Sequence, residues 1–191
     1  MRDQPAKVLS KTDIRTTIAA ATRLRYPDRN RVMVLLSVRA GLRACEIAGL
    51  TWAMVLDARG SVGACIEIPA KVAKNGSGRR IPLHPQLRSA LLRLRRVSDG
   101  DGAVVRSERG GSMSARAVVN WFARLYAMIG LLGCSSHSGR RTFVTEAARL
   151  IHKAGGSLRD VQELAGHRSI KTTQGYIEGN GRAQQRLMRL L

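Results

Sequence analysis

Apolar residues recur at helical spacing along most of the chain, and one stretch departs from it. From Ser10 to Arg25, Ile14, Ile18 and Ala21 fall on one face, with Ser10, Thr12 or Asp13 available as a cap. Pro27 breaks the pattern. Val32, Met33, Val34, Leu35, Leu36 and Val38 then run almost without polar interruption, so residues 31–40 are expected to form a buried helix that stops at Gly41. A short helix is expected over 43–50. Between Val62 and Leu83 the period changes to two: Val62, Ala64, Ile66 and Ile68 alternate with other residues. Lys74 to Gly78 has the composition of a turn, and Arg79 to Leu83 reads as a second strand.

Helical spacing returns over 85–97 through Leu87, Leu91 and Leu94. After a loop at 99–102, Ser112 or Ser114 can cap a helix reaching Ile129, with Val118, Val119, Phe122, Leu125 and Met128 inside. A further helix follows His137 and ends near Gly155. Ser157 to Asp160 resembles a capping box, and its helix stops at Gly166. Two last helices are expected over 169–177 and 182–191. The pattern predicts a mainly α protein with a small antiparallel β-sheet (α+β).

Composition narrows the partners. The 191 residues favour one domain, and 44% hydrophobic content excludes compositional disorder. Thirty-three Lys and Arg against thirteen Asp and Glu give a formal charge of +20, which calls for a polyanion. Nucleic acid is the first candidate and an anionic membrane surface the second; a general nucleic-acid-coating protein would share the charge. No apolar run approaches a membrane span, and residues 1–11 lack a signal-peptide core, so a cytoplasmic, nucleoid-associated protein is expected and no membrane partner. Cys45, Cys65 and Cys134 are widely spaced and read as reduced thiols. Cys134 and His137 have no second pair to complete a metal site.

Phosphodiester chemistry needs a nucleophile, cations for the developing charge and an acid for the leaving oxygen. The only close carboxylate pair, Asp99 and Asp101, sits in a glycine-rich turn, which disfavours a two-metal nuclease. Of the three tyrosines, Tyr26 precedes Pro27 in a basic loop and Tyr126 lies on an apolar helix, as a core residue would. Tyr176 follows a polar run near the end of the chain.

Four segments resemble the tyrosine recombinase, or phage integrase, family. They are Gly41-Leu42-Arg43-Ala44-Cys45-Glu46-Ile47, Lys74 in the turn before Arg80-Ile81-Pro82-Leu83, His137-Ser138-Gly139-Arg140, and Leu164-Ala165-Gly166-His167 through Gly175-Tyr176. Any one is weak; the four in order are specific. The resemblance spans Ser10 to the C-terminus. It implies the integrase catalytic-domain fold and a site-specific DNA recombinase that cleaves and rejoins duplex DNA through a 3′-phosphotyrosyl bond. It further implies Tyr176 as nucleophile, Arg43 and Arg140 on the non-bridging phosphate oxygens and Lys74 as the acid for the leaving 5′ oxygen. His137 and His167 would bind the phosphate or assist proton transfer. Glu46, one turn from Arg43, would orient it or form a local ion pair. Arg141, Arg168, Arg79 and Arg80 are expected to contact flanking DNA. Taken singly, each Arg would read as solvated; His84 and His152 read as structural.

The covalent link conserves the phosphodiester energy, so no cofactor and no metal are expected. Two exchanges on two DNA sites imply a homotetramer on DNA, with a monomer or weak oligomer without it, and accessory DNA-bending proteins as further partners. Residues 1–9 read as a short extension, 10–180 as the catalytic domain, and 181–191 as a tail that docks on a neighbouring protomer or packs on its own core. Two departures stand out. Only about ten residues precede the first catalytic-domain helix, as in a fragment or in the short recombinases without an N-terminal clamp. Gly139 stands where many relatives have Leu, which is expected to loosen local packing. A type IB topoisomerase and a non-catalytic DNA-binding regulator are the alternatives.

Overall fold

The computed structural model describes residues 6–73, 76, 78–98, 101–176 and 188–189. Helix α1 (Lys11–Arg23) opens on a capping box in which Ser10 Oγ accepts from the Asp13 N–H and Asp13 accepts from the Ser10 N–H. Leu9, just before it, is buried, and its N–H donates to Thr142 Oγ1 at 2.8 Å, so ordered packing begins ahead of the first helix.

Helix α2 (Pro27–Arg39) starts four residues earlier than the sequence pattern suggested. Pro27 is at its first turn, where a missing N–H costs nothing and a fixed φ favours the helix. Tyr26 enters it with φ of +66°, its ring held between the guanidiniums of Arg25 and Arg29 at 5.0 and 4.6 Å. Residues 32–38 of α2 are all buried, because α1, α4 (Pro85–Arg96) and α6 (Ser138–Leu150) pack around it. A helix apolar on every side belongs at the centre.

Helix α3 (Ala44–Ala48) packs on α5 (Ala115–Met128), whose start is capped by Ser114. Strands β1 (Cys65–Ile68) and β2 (Arg79–Pro82) form a two-stranded antiparallel sheet with Ile66 opposite Ile81. Both isoleucines are buried, and Glu67 and Arg80 face solvent across from each other. Tyr126 is in the core as expected, and burial pushes its phenol pKa up. His84 caps α4 by accepting the Gln86 N–H at its Nδ1.

After α6 the chain makes a 3₁₀ turn (Ile151–Ala154), then α7 (Leu158–Ala165) and α8 (Ile170–Gln174). These elements have their own small core of Val144, Ala148, Val161 and Ala165, with Phe143, Leu158 and Tyr176 against it. The main core lies elsewhere, around α2. The helix expected over 182–191 falls outside the described residues except for Met188 and Arg189.

Gly139 does not loosen the fold. A Cβ there would collide with Ser37 Oγ and stand 2.9 Å from Ser37 Cβ and 3.0 Å from Val38 Cγ1. The absent side chain lets α6 lie directly on α2, so the space a larger residue would fill is already taken.

Candidate active site

Three chain reversals bring the candidate residues together. The first follows α2: Gly41 adopts φ of +62°, and a Cβ at this position would run into the Phe143 ring. The turn delivers Arg43 to the start of α3, where its backbone N–H donates to Glu46 Oε2 at 2.9 Å. Its guanidinium donates to Glu46 Oε1 at 3.1 Å. Glu46 is wholly buried.

The second reversal is the hairpin. At its return, Arg79 donates to Glu46 through both terminal nitrogens, 2.9 Å each, and through Nε to the Leu164 carbonyl at 2.9 Å. Its side chain is 5% exposed. This corrects the expectation of a DNA-facing Arg79: a fork-on-fork pair with a buried carboxylate uses its hydrogen-bonding edges inside the protein. Arg80, the next residue, does point outward and lies 3.7 Å from the exposed Glu67. Lys74 lies outside the described residues.

The third reversal ends α7. Gly166 has φ of +62°, and its bare Cα lies flat on Arg79; a Cβ would be 2.9 Å from the guanidinium NH1. The two preceding carbonyls, Leu164 and Ala165, accept from Arg79 and Arg140 respectively. Carbonyls at a helix C-terminus lack internal partners and carry the negative end of the dipole, so cations suit them. Arg140 also donates to the Gly41 carbonyl at 2.6 Å, which ties α3's entry to α7's exit. It is 3% exposed.

His167 comes next and is buried, with Nδ1 2.9 Å from Thr173 Oγ1. The Tyr176 ring stacks on its imidazole, centroids 5.5 Å apart. Arg141 lies over the same phenol ring at 5.7 Å. Tyr176 is half-buried, so its ring is neither sealed in the core nor detached from the site. Its carbonyl accepts from Thr145 Oγ1 at 3.5 Å. His137 is exposed, immediately before the helix that carries Arg140, and Arg168 is exposed beside His167.

The electrostatics follow from this packing. Arg43, Arg79 and Arg140 face one carboxylate, Glu46, so three positive charges against one negative leave an excess of two. Burial pushes the Glu46 carboxyl pKa up, but Arg79's hydrogen bonds and charge, with Arg43, outweigh it and hold it below the ordinary range. Burial first, then Arg43, bring Arg140 down to about 10. Burial, with the charges of Arg140, Arg43 and Arg79, brings His167 down to about 4. The imidazole is therefore neutral near pH 7, with one donor and one acceptor nitrogen. A cluster with surplus cations, a neutral base and an adjoining phenol has the parts for anion binding and for a transfer of the phenol proton. Among the described residues, no three His, Cys, Asp or Glu side chains converge to hold a metal ion.

Sequence reasoning missed one neighbour of the site and misplaced another. Thr173, which fixes the His167 ring, lay inside the recognised segment but carried no signal of its own. Arg79 was singled out for the wrong surface; the missing signal was that an Arg at the first residue of a strand, opposite the buried Ile68, is drawn inward by Glu46.

These elements define a mainly helical domain with a basic side-chain cluster that ends on a tyrosine. The family model "Phage integrase family" matches residues 7–182. The chain belongs to that family. It is 30% identical over 153 residues to tyrosine recombinase XerC of Mesorhizobium japonicum, covering 78% of this chain and 46% of the relative. Against XerC of Xylella fastidiosa it is 34% identical over 154 residues, covering 78% and 48%. The chain thus spans about half the length of the curated relatives it matches. The fold is shared with the Tn1549 transposon integrase in complex with a circular intermediate DNA, at TM-score 0.75 and 19% identity, covering 100% of this chain and 67% of that one.

Proposed function

We propose that this chain is the catalytic unit of a site-specific DNA recombinase, with Tyr176 as the nucleophile toward a backbone phosphate of duplex DNA. The observation that carries the reading is the stacking of Tyr176 on a buried, neutral His167 that feels the charges of Arg140, Arg43 and Arg79, the last two paired to one carboxylate. The relatives' names, XerC and a DNA-bound integrase, support the same assignment.

In this reaction the scissile phosphate supplies the missing negative charge. Arg43 and Arg140 hold its non-bridging oxygens; Gly41 and Ala165 take two of Arg140's five N–H groups and fix its plane. The phenol oxygen attacks phosphorus, its proton passing toward an imidazole, that of His167 or His137. A free phenol has a pKa of about 10, so it needs that help and the surrounding cations. The bond to the 5′ oxygen breaks, Lys74 supplies its proton, and a 3′-phosphotyrosyl ester forms. A 5′ hydroxyl from a second duplex reverses the steps on a new partner. The energy of the ester is conserved, so no nucleotide or metal cofactor enters. Arg80, Arg141 and Arg168 contact flanking phosphates. Four protomers act on two DNA sites, and the tail over 181–191 joins neighbours.

The test is covalent trapping. The protein is incubated with a randomised pool of nicked duplexes that lose the 5′ hydroxyl fragment after cleavage. The wild type is expected to form adducts enriched for a defined sequence, and Tyr176→Phe none. Equal trapping by that variant, or no adduct from the wild type, overturns the proposal. Relaxation of supercoiled plasmid without sequence preference would instead make the chain a topoisomerase.

A further inference from the structure

Glu46 lies between two arginines, and it does not treat them alike. Arg79 covers both carboxylate oxygens at 2.9 Å, while the Arg43 guanidinium reaches one oxygen at 3.1 Å and shares it with Arg79. The carboxylate is fully buried, so water does not screen it from either cation. Without Arg79, the guanidinium still hydrogen-bonded to it would be that of Arg43. A guanidinium neutralised by a bidentate carboxylate is a poor ligand for a second anion, because the same fork serves both.

Arg79 is also anchored on its other side. Nε donates to the Leu164 carbonyl, and Gly166 lies on the guanidinium with no side chain between. The residue therefore keeps its grip on Glu46 independently of Arg43. Its neighbour Arg80 is exposed, so the burial of Arg79 is particular to this side chain and not a property of the strand.

We infer that Arg79 is a positioning residue: it occupies the Glu46 carboxylate so that the Arg43 guanidinium stays open to the scissile phosphate. Arg79 itself touches no DNA. This rests on the reaction proposed above and assigns a role to a residue outside the group that meets the phosphate.

The experiment compares single-turnover cleavage on two DNAs of the trapped sequence. One carries the ordinary scissile phosphodiester; the other carries a methylphosphonate there, which has lost the negative charge. Arg79→Gln is expected to slow the phosphodiester reaction roughly a hundredfold, the scale of losing one electrostatic partner of the transition state, and the methylphosphonate reaction by less than about tenfold. Adding Glu46→Gln removes the competing anion and is expected to recover much of the phosphodiester rate. Unchanged rates in Arg79→Gln, or equal losses on both DNAs, overturn the inference, since a merely structural defect falls on both alike. If Arg79→Gln does not fold, Arg79→Lys is read by the same criterion; it keeps the charge but covers one oxygen. A wild-type protein that forms no Tyr176 adduct overturns the proposed function instead, and this inference with it.

Discussion

At the scale of single residues, the site is an exercise in charge balance. His167 has a folded-state pKa near 4 against an ordinary 6.5, because burial and three guanidiniums oppose its protonation. A base whose pKa falls on folding binds its proton better when unfolded. Its contribution to stability is therefore complete above pH 6.5 and is lost as pH falls from there toward 4. An NMR titration should show one imidazole of the DNA-free protein changing near pH 4, and DNA should move that midpoint upward by adding an anion beside it. Titration of His167 near 6.5 in the free protein would contradict the burial and charge described. Glu46→Gln should cost roughly 3 kcal/mol by chemical denaturation, because it leaves the buried Arg79 without its counter-charge.

At the scale of elements, close contacts rather than large side chains decide the geometry. The α2–α6 contact is one case. Gly139→Leu should destabilise the protein by about 1–3 kcal/mol, because Ser37 and Val38 occupy the required space. Ser37→Gly should relieve part of that loss, measured as a shift in thermal midpoint. Much of this layer was legible beforehand. The periodicity of Val32 to Val38, the alternation of Ile66 and Ile68 and a serine cap at 112 or 114 each produced the element they announced, the cap being Ser114. The start of α2 was misplaced because Pro27 reads equally as a breaker and as a first-turn residue, and only packing decides between them. The convergence of Arg43, Arg140, His167 and Tyr176 was anticipated from a resemblance of motifs, since local pattern carries no information about contacts such as Arg140 to Gly41, ninety-nine positions apart. The inward turn of Arg79 was hidden for the same reason: charge favours the surface unless a buried carboxylate waits for it.

At the scale of the molecule, the excess of twenty positive charges should dominate DNA affinity. The logarithm of the binding constant should fall linearly with the logarithm of salt concentration, with a slope of about −0.9 for each phosphate neutralised on duplex DNA. Fluorescence anisotropy across a salt series checks this, and a flat response would exclude a phosphate-dominated interface. The two separate cores have a further consequence. The tyrosine rests on four small buried side chains, Val144, Ala148, Val161 and Ala165, while the bulk of the fold is consolidated around α2. Warming should therefore extinguish ester formation some degrees before the global melt, with the protein still able to hold its nucleic acid. Such a chain would pass, on heating, through an interval in which it grips a strand it can no longer cut.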